Sequence, residues 1–417
     1  MKNVLVVCID CLRFDKLGLL LHASPLLQSL VSAHGTVFTR AYTTAPWTHP
    51  ATNSILTGLY PHKHRACHAG KYRKNVITPW PGSLAPEAPT IFSELGKAGF
   101  FTVGISTIYW ALSPINEYSG CDCIIRSEEQ EVFYRNTPAE WVVQRFKYVV
   151  GLLPERKNFC AYLHLIDLHR PYNLENALNH ASRPVEIMEG LEEWDSRPYA
   201  NDPSRLSRFR ASKVLLYDGL IKYTGIWIGK LLEFMAMRKL LDKTTIIITA
   251  DHGEEFWDHE SAETGCDLGL RSQNPWLLGT GHGHTMFEEI LHIPLLLIDT
   301  SHPAGSSPAP VSLVDIYPTV VQNNGHGSPL PGDGISLREA TEDRELFAES
   351  PLYGYERKAM LRYPMKYVYS PFEDRAWTCD LSKDPDETRC DAGNLPADVI
   401  QELEGMFLAE GRAHNRN

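Results

Sequence analysis

"NVLVVCID", residues 3–10, is a short apolar run closed by an acid. It reads as a buried parallel strand that leaves Asp10 at its carboxyl edge. The same pattern returns in "FCAYLHLID", 159–167, in "TTIIITADHG", 244–253, and in "HIPLLLID", 292–299. "TVFTRAYT" and "FTVGIST" read as further strands, and helical stretches lie between them, most clearly 210–241. Strands alternating with helices predict an α/β fold with a mostly parallel central sheet flanked by helices. Ligands of open α/β sheets bind outside the carboxyl ends of strands. Asp10, Asp167 and Asp251 are expected at such ends, and packing alone does not explain three acids there.

The chain has 417 residues, 43% of them hydrophobic and 22% charged, which is ordinary globular composition. A net charge of −11 speaks against nucleic acid or an anionic membrane as the main partner. The N-terminal apolar run is too short for a leader or a membrane span, and no other segment has the length to cross a bilayer. A soluble cytoplasmic protein is the expectation. The nine cysteines are scattered and odd in number, unlike a disulfide scaffold. Cys121 and Cys123 form a close pair, but no second pair of zinc ligands stands near them.

Segment 300–345 is rich in Pro, Gly, Ser and Asp, broken by the helical "VSLVDIYPTVV". Short strand-like pieces and a last helix, "PADVIQELEGMFLAEG", follow. They predict a small C-terminal α+β subdomain with an antiparallel sheet at 341–417, after a catalytic domain at 1–340.

Four stretches carry chemistry. "ADHGEEFWDH" places Asp251 and His252 in tandem at a strand end, a common metal-ligand pair. "GTGHGHTMFEEILHIPLL" alternates His282 and His284 with glycines, which points both toward a site. In "HLIDLHRPY", Asp167 and His169 lie beyond the strand, whereas His164 is expected to pack or hydrogen-bond inside. "PHKHRACHAG" holds His62, His64 and His68 at spacings that share no helix face, and is read as mostly solvated. Upstream, "TTAPWTHPATNSILTGLYPHKH", 43–64, puts Thr48 and Pro50 at the mouth of a helix. Thr48 is then either an N-cap or a nucleophile at the positive end of that helix.

In order along the chain, "NVLVVCIDCLRFDKLG", "LTGLYPHKH", "HLIDLHRPY", "TADHGEEFWDH", "GHGHTMFEEILHIPLLL", "VSLVDIYPTVV" and "WTCDLSKDPDETR" resemble the sulfatase branch of the alkaline phosphatase superfamily. The resemblance spans nearly the whole chain and implies an alkaline phosphatase-like fold. That family's nucleophile motif is Cys or Ser, any residue, Pro, any residue, Arg, followed by Leu-Thr-Gly. Counting back from Thr57-Gly58 places Thr48 at the nucleophile, Pro50 at the proline and Thr52 where arginine is expected. With neither Cys nor Ser at 48, the formylglycine route of sulfatases is not expected. Threonine nucleophiles belong to phosphoryl-transferring relatives.

The resemblance further implies a divalent metal held by Asp10, Thr48, Asp251 and His252. The Asp10-Cys11 and Asp251-His252 pairs stand where sulfatases carry two acids and Asp-Asn. Imidazole in place of oxygen favours Mn²⁺ or Zn²⁺ over Ca²⁺, and Cys11 is taken as a bystander or weak ligand. Thr48, His169 and His284 carry the catalytic roles. Asp167 and His282 are left open as ligands of a second metal or as substrate contacts, with His284 as another partner of Asp167. The implied activity is hydrolysis of phosphate or phosphonate esters, placed ahead of sulfate-ester hydrolysis. Head-group transfer and a non-catalytic anion-binding role are the remaining alternatives. The expected partner is a small anionic ester or sugar ester, and a homo-oligomer is compatible with the sequence.

Overall fold

β1 (Asn3–Ile9) is buried along its whole length, as a strand covered on both faces must be. The computed structural model describes residues 1–67, 82–85, 87–112, 120–126, 138–193, 195–259, 279–301, 304–322, 324, 332–372, 375–393 and 395–414. His68, Cys266 and the segment 260–278 lie outside the described residues. The remaining strands of the main sheet are β2 (Gly35–Phe38), β3 (Phe101–Ser106), β4 (Cys123–Arg126), β5 (Phe159–Leu165), β6 (Thr244–Ala250), β7 (Leu295–Ile298) and β8 (Gly305–Ser307). Their order is β8-β2-β7-β6-β1-β5-β3-β4. Every neighbouring pair is parallel except those of β7, which runs against both β2 and β6. The acid closing the β7 run, Asp299, therefore sits at the opposite edge of the sheet, where it pairs with Lys2 and Arg338.

Register decides what the strand ends present. Ile9 lies level with Ala250 of β6 and with Leu165 of β5. Asp10 and Asp251 thus leave the sheet side by side, whereas Asp10 is level with Ile166 and not with Asp167. Side chains alternate along strands, so Asp167 points to the face opposite Asp10. There both its carboxylate oxygens accept the Ala139 N–H (3.0 and 3.1 Å) that opens helix Ala139–Leu152.

The long helix Pro203–Met237 packs against helices Leu17–His22, Pro25–His34, Ala139–Leu152 and Leu174–His180. Asp202 caps it by accepting from the Arg205 N–H (3.0 Å), and Pro203 fills the first turn. Its Tyr217 hydroxyl donates to the Cys11 carbonyl (2.6 Å) and accepts the Arg13 N–H (3.2 Å), pinning the loop after β1.

The C-terminal sheet is antiparallel: β9 (Glu345–Ala348), β10 (Lys358–Arg362), β11 (Met365–Ser370), β12 (Arg375–Asp380) and β13 (Asp391–Ala392). One face packs Leu346, Leu361 and Val368 against Met286, Ile290 and Leu291. The other packs Met360 and Tyr367 against Val399 and Leu403 of the last helix. Among the described residues the scattered cysteines do yield one disulfide, Cys379–Cys390, with Cα atoms 4.7 Å apart. Among the described residues no helix is long and apolar enough to cross a membrane.

Helix Thr48–Thr57 is buried at every position, although six of its ten side chains are polar. Those side chains bond locally: Thr52 Oγ1 donates to the Thr48 carbonyl (2.9 Å), Asn53 Nδ2 to the His49 carbonyl (2.7 Å) and Thr57 Oγ1 to the Asn53 carbonyl (2.7 Å). Gly58 ends the helix at φ +69°, and a Cβ there would meet Tyr317 at 2.9 Å.

Two of the three histidines expected in solvent, His62 and His64, are instead bonded inside the protein. His62 donates from Nδ1 to Glu349 (2.7 Å). His64 is fully buried; Nε2–H donates to the Pro50 carbonyl (3.1 Å) and to Ser54 Oγ (3.2 Å), and Nδ1 accepts the Ala66 N–H (3.0 Å). Their spacing shares no helix face because the two residues serve different partners. Burial first, then nearby His49, holds His64 down to about 3. The folded protein therefore refuses a proton that the unfolded chain takes up below about 6.5, and stability falls with pH across that window. We expect His64→Ala to cost about 2 kcal/mol or more at pH 7 from lost hydrogen bonds and packing. In urea unfolding the gap between variant and wild type should narrow by about 2 kcal/mol at pH 5. An unchanged gap would show that His64 is not held neutral.

Candidate active site

The hydroxyl of Thr48 is where the two strand-end acids and the helix meet. Trp47, not Thr48, is the N-cap of helix Thr48–Thr57, and its side chain makes no cap hydrogen bond. Thr48 is the first helical residue, and its Oγ1 lies 3.2 Å from His252 Nε2 and 3.5 Å from Asp10 Oδ2. The cap reading of Thr48 therefore fails on position. His252 Nε2 is also 3.5 Å from Asp10 Oδ1 and 3.5 Å from Asp251 Oδ2. Donors about 2.0–2.1 Å from one tetrahedral ion stand about 3.3 Å apart, which matches this spacing.

The chemistry of the donors fits a cation as well. His252 donates from Nδ1 to the Gly253 carbonyl (2.8 Å), which leaves the Nε2 lone pair facing Thr48 and the two acids. Metal-ligating histidines carry this kind of backing bond. Asp251 Oδ2 is buried without a hydrogen-bond partner among the described residues. Neither Asp10 nor Asp251 has a Lys or Arg ion-pair partner among them. Burial tends to raise Asp10, but the His164 hydrogen bond and the neighbouring His169 and His252 hold it well below the usual carboxylate range. Burial, then the Asp10 charge, pushes Asp251 up. His252 is held above its ordinary value because Asp251 and Asp10 outweigh its burial. Gly253 is required by close approach, since a Cβ there would meet the Glu289 carbonyl at 1.9 Å.

A second layer surrounds this set. His164 Nε2–H donates to Asp10 Oδ2 (3.3 Å), and its Nδ1 accepts from the Tyr162 hydroxyl (3.1 Å). The strands Glu255–Phe256 and Thr280–Gly281 pair antiparallel with Glu255 across from Gly281, which sets Glu254 across from His282. His282 Nδ1 is 3.0 Å from Glu254 Oε1 and 3.6 Å from Cys11 Sγ. Its ring lies 4.2 Å from that of His252 and 5.2 Å from that of His169. Burial first keeps His282 down at about 4, so it is neutral near pH 7 and Glu254 accepts its N–H as a carboxylate. Cys11 adopts φ +63°, a left-handed conformation that costs a non-glycine residue about 1–2 kcal/mol.

Two expected site residues sit elsewhere. Asp167 faces the other side of the sheet, and burial pushes its carboxyl up to about 7. His284, one alternation away from His282, bonds through Nε2 to Glu255 Oε2 (2.8 Å) in a buried group with His259 and Glu289. His164 and Glu254 were not singled out as site residues. The signal for Glu254 was the tandem acid after Asp251-His252-Gly253; His164 becomes visible only once the β1–β5 register is known. Thr52, in the expected arginine position, merely closes a turn onto the Thr48 carbonyl. Among the described residues, Cys121 and Cys123 belong to no group of metal-type donors.

Carboxylates, imidazole and a helix-borne hydroxyl gathered at the carboxyl ends of a mostly parallel sheet, with a separate antiparallel C-terminal sheet, define the alkaline phosphatase superfamily class of hydrolases. Residues 2–325 match the family described as Sulfatase, and the chain belongs to that family. Arylsulfatase K of Xenopus laevis is 22% identical over 97% of this chain and 81% of its own length. A phosphonate monoester hydrolase of Agrobacterium radiobacter superposes with a TM-score of 0.69 at 18% identity, over 98% of this chain and 96% of its own. A third structure, in complex with D-glucosamine-2-N,6-O-disulfate, gives 0.65 at 13% identity over 99% and 97%. These structural likenesses establish the fold.

If Asp10, Asp251 and His252 hold a cation, Asp251→Ala should remove most bound divalent metal, as read by elemental analysis of the desalted protein, with the far-UV circular dichroism kept. Addition of Zn²⁺ or Mn²⁺ should raise the melting temperature of chelator-treated wild type and leave that of the variant unmoved. Wild-type metal content in the variant would refute the ligand assignment.

Proposed function

We propose that this chain is a metal-dependent hydrolase of phosphate or phosphonate esters that uses Thr48 as its nucleophile. The observation that carries the reading is the Thr48 hydroxyl, 3.2 Å from His252 Nε2 and 3.5 Å from Asp10 Oδ2 at the N-terminus of a buried helix. Asp10, Asp251 and His252 would hold a divalent ion, Zn²⁺ or Mn²⁺ ahead of Ca²⁺ given the imidazole. Such an ion supplies the positive charge that lowers the pKa of an alcohol and offsets the charge of an anionic ester.

The residues do the rest. In the resting site Thr48 Oγ1–H donates to Asp10 Oδ2, so the proton has an acceptor when Oγ1 attacks phosphorus in line. The N-terminus of helix Thr48–Thr57 adds a field favourable to the anionic ester. His169 commits Nδ1–H to the Arg170 carbonyl (2.5 Å), which makes Nε2 the atom that exchanges a proton with the leaving oxygen. The substrate-side role carried by resemblance to His284 passes to His282, because His284 is held by Glu255. Water then cleaves the phosphothreonine and returns the hydroxyl.

A sulfated threonine lacks the aldehyde-hydrate exit that formylglycine gives sulfatases, and this favours the phosphorus ester. Sulfate-ester hydrolysis is the second reading, because the curated relatives carry the name arylsulfatase. The Cys379–Cys390 disulfide pulls against the cytoplasmic location expected from sequence, since disulfides persist in oxidising compartments.

A matched aryl panel (phosphate monoester, phosphate diester, phosphonate monoester and sulfate), assayed with added metal, separates the readings. We expect Thr48→Ala to lower kcat by a factor on the order of 10³ or more with KM little changed, and Thr48→Ser to keep appreciable turnover. Rapid quench of the wild type should trap phosphothreonine at Thr48, seen by peptide mass spectrometry. Turnover of sulfate above every phosphorus ester would hand the site to the second reading. Wild-type rates in Thr48→Ala would remove the nucleophile.

A further inference from the structure

Three donors lie beside the Thr48 set: Cys11 Sγ, His282 Nδ1 and the Glu254 carboxylate, of which the mechanism above uses only the His282 ring. We propose that they form a second cation site adjoining the Asp10–Thr48–Asp251–His252 set, selective for a thiophilic divalent ion of the zinc type. The inference rests on the metal reading of that first set.

One spacing is already that of a coordination sphere, and two neighbouring hydrogen bonds would open by a few tenths of an ångström to complete it. Zn–S of about 2.3 Å and Zn–N of about 2.0–2.1 Å at the tetrahedral angle place sulfur and nitrogen about 3.6 Å apart. Cys11 Sγ and His282 Nδ1 are 3.6 Å apart. Glu254 Oε1 is 3.0 Å from the same nitrogen. A fourth donor is at hand in Asp10 Oδ1, 3.0 Å from Cys11 Sγ. Asp10 would then face both ions, one oxygen toward each, as bridging carboxylates do in two-metal sites.

An independent observation points to an occupant. Glu254 is fully buried, and its Oε2 has no hydrogen-bond partner among the described residues. A buried carboxylate oxygen left so is costly unless a cation meets it. Charge leads to the same place. Asp10, Asp251 and Glu254 bring three carboxylates into a buried cluster where, among the described residues, no Lys or Arg side chain pairs with them. One divalent ion leaves the cluster negative and ill suited to an anionic ester. A Cys11 thiolate and a second divalent ion bring it to neutrality.

The protons balance. Before the ion enters, Cys11 S–H donates to Asp10 Oδ1 and His282 Nδ1–H to Glu254 Oε1. The thiol releases its proton to solvent, and His282 moves its proton from Nδ1 to Nε2 and stays neutral. One proton leaves for each ion bound. The site differs from the expected second metal site because Asp167, on the opposite face, cannot take part.

Cobalt reports on it without reference to turnover. Chelator-treated full-length protein is titrated with Co²⁺, and bound metal is counted after desalting. We expect two ions per chain and a thiolate-to-cobalt charge-transfer band in the near ultraviolet. Cys11→Ser should abolish the band and bind one ion. Glu254→Gln should weaken Co²⁺ at one site by about 10- to 100-fold, with the other unchanged, and circular dichroism checks that both variants fold. One ion per wild-type chain without the band overturns the second site and leaves the first standing; one ion with the band overturns the separate second site and makes Cys11 a ligand of the single ion. No bound ion in the wild type overturns both, and with them the metal reading of the proposed function.

Discussion

Two fully buried carboxylates, Asp10 and Asp251, stand side by side because the β1–β6 register makes Ile9 and Ala250 neighbours. Like charges 4 Å apart repel by about 4 kcal/mol at an effective dielectric of 20, before the cost of burying either. The surroundings answer that penalty. His164 donates to Asp10 from behind, and a helix aims its positive end at the same point. Hydrogen bonds at 3.2–3.5 Å leave the penalty incompletely offset. A cation held between the two carboxylates, as proposed above, would offset what remains.

The helix that carries Thr48 is fixed largely from outside the main sheet. Trp47, the residue before Thr48, donates from its indole to the Ser350 carbonyl (2.6 Å), and the Glu349 N–H reaches the Thr44 carbonyl (2.9 Å). Glu349 also binds His62 and Lys358, all of them buried or nearly so. Breaking one partner of such a network leaves a buried charge without its counterion, which costs several kcal/mol. The C-terminal sheet is therefore more than an appendage. Its first two strands and the turn between them clamp both ends of the segment that presents the hydroxyl.

What the sequence disclosed about the site follows from what local pattern encodes. An apolar run closed by an acid locates a strand end, so Asp10 and Asp251 were legible, and the tandem His252 came with Asp251. Thr48 was legible from its distance to Thr57-Gly58. Register is not encoded locally. The "FCAYLHLID" run looks like the other two, yet one residue of offset turns Asp167 away and brings His164 in. The choice between His282 and His284 is the same parity question, settled by a two-residue ladder against Glu255. The partners of His62 lie in the C-terminal sheet, too far along the chain for any window to connect. The direction of β7 was equally hidden, because a strand reads the same either way.

Threonine at position 48 and threonine at position 52 belong to one chemical choice. An aldehyde hydrate made from Cys or Ser expels sulfate by collapsing to a carbonyl, and a recognition motif with arginine serves to make it. A secondary hydroxyl has no such exit, so its ester must be opened by water attacking the transferred atom. That demands positive charge held close to the oxygens in both half-reactions, and among the described residues no arginine bonds into the Thr48 set to provide it. In the proposed mechanism the burden would fall on a cation held by the carboxylates and on the helix N-terminus. A site arranged in this way places its discrimination in charge rather than in the reactivity of the nucleophile. The cluster of Cys11, His282 and Glu254 at its edge is then best understood as part of how that charge is set.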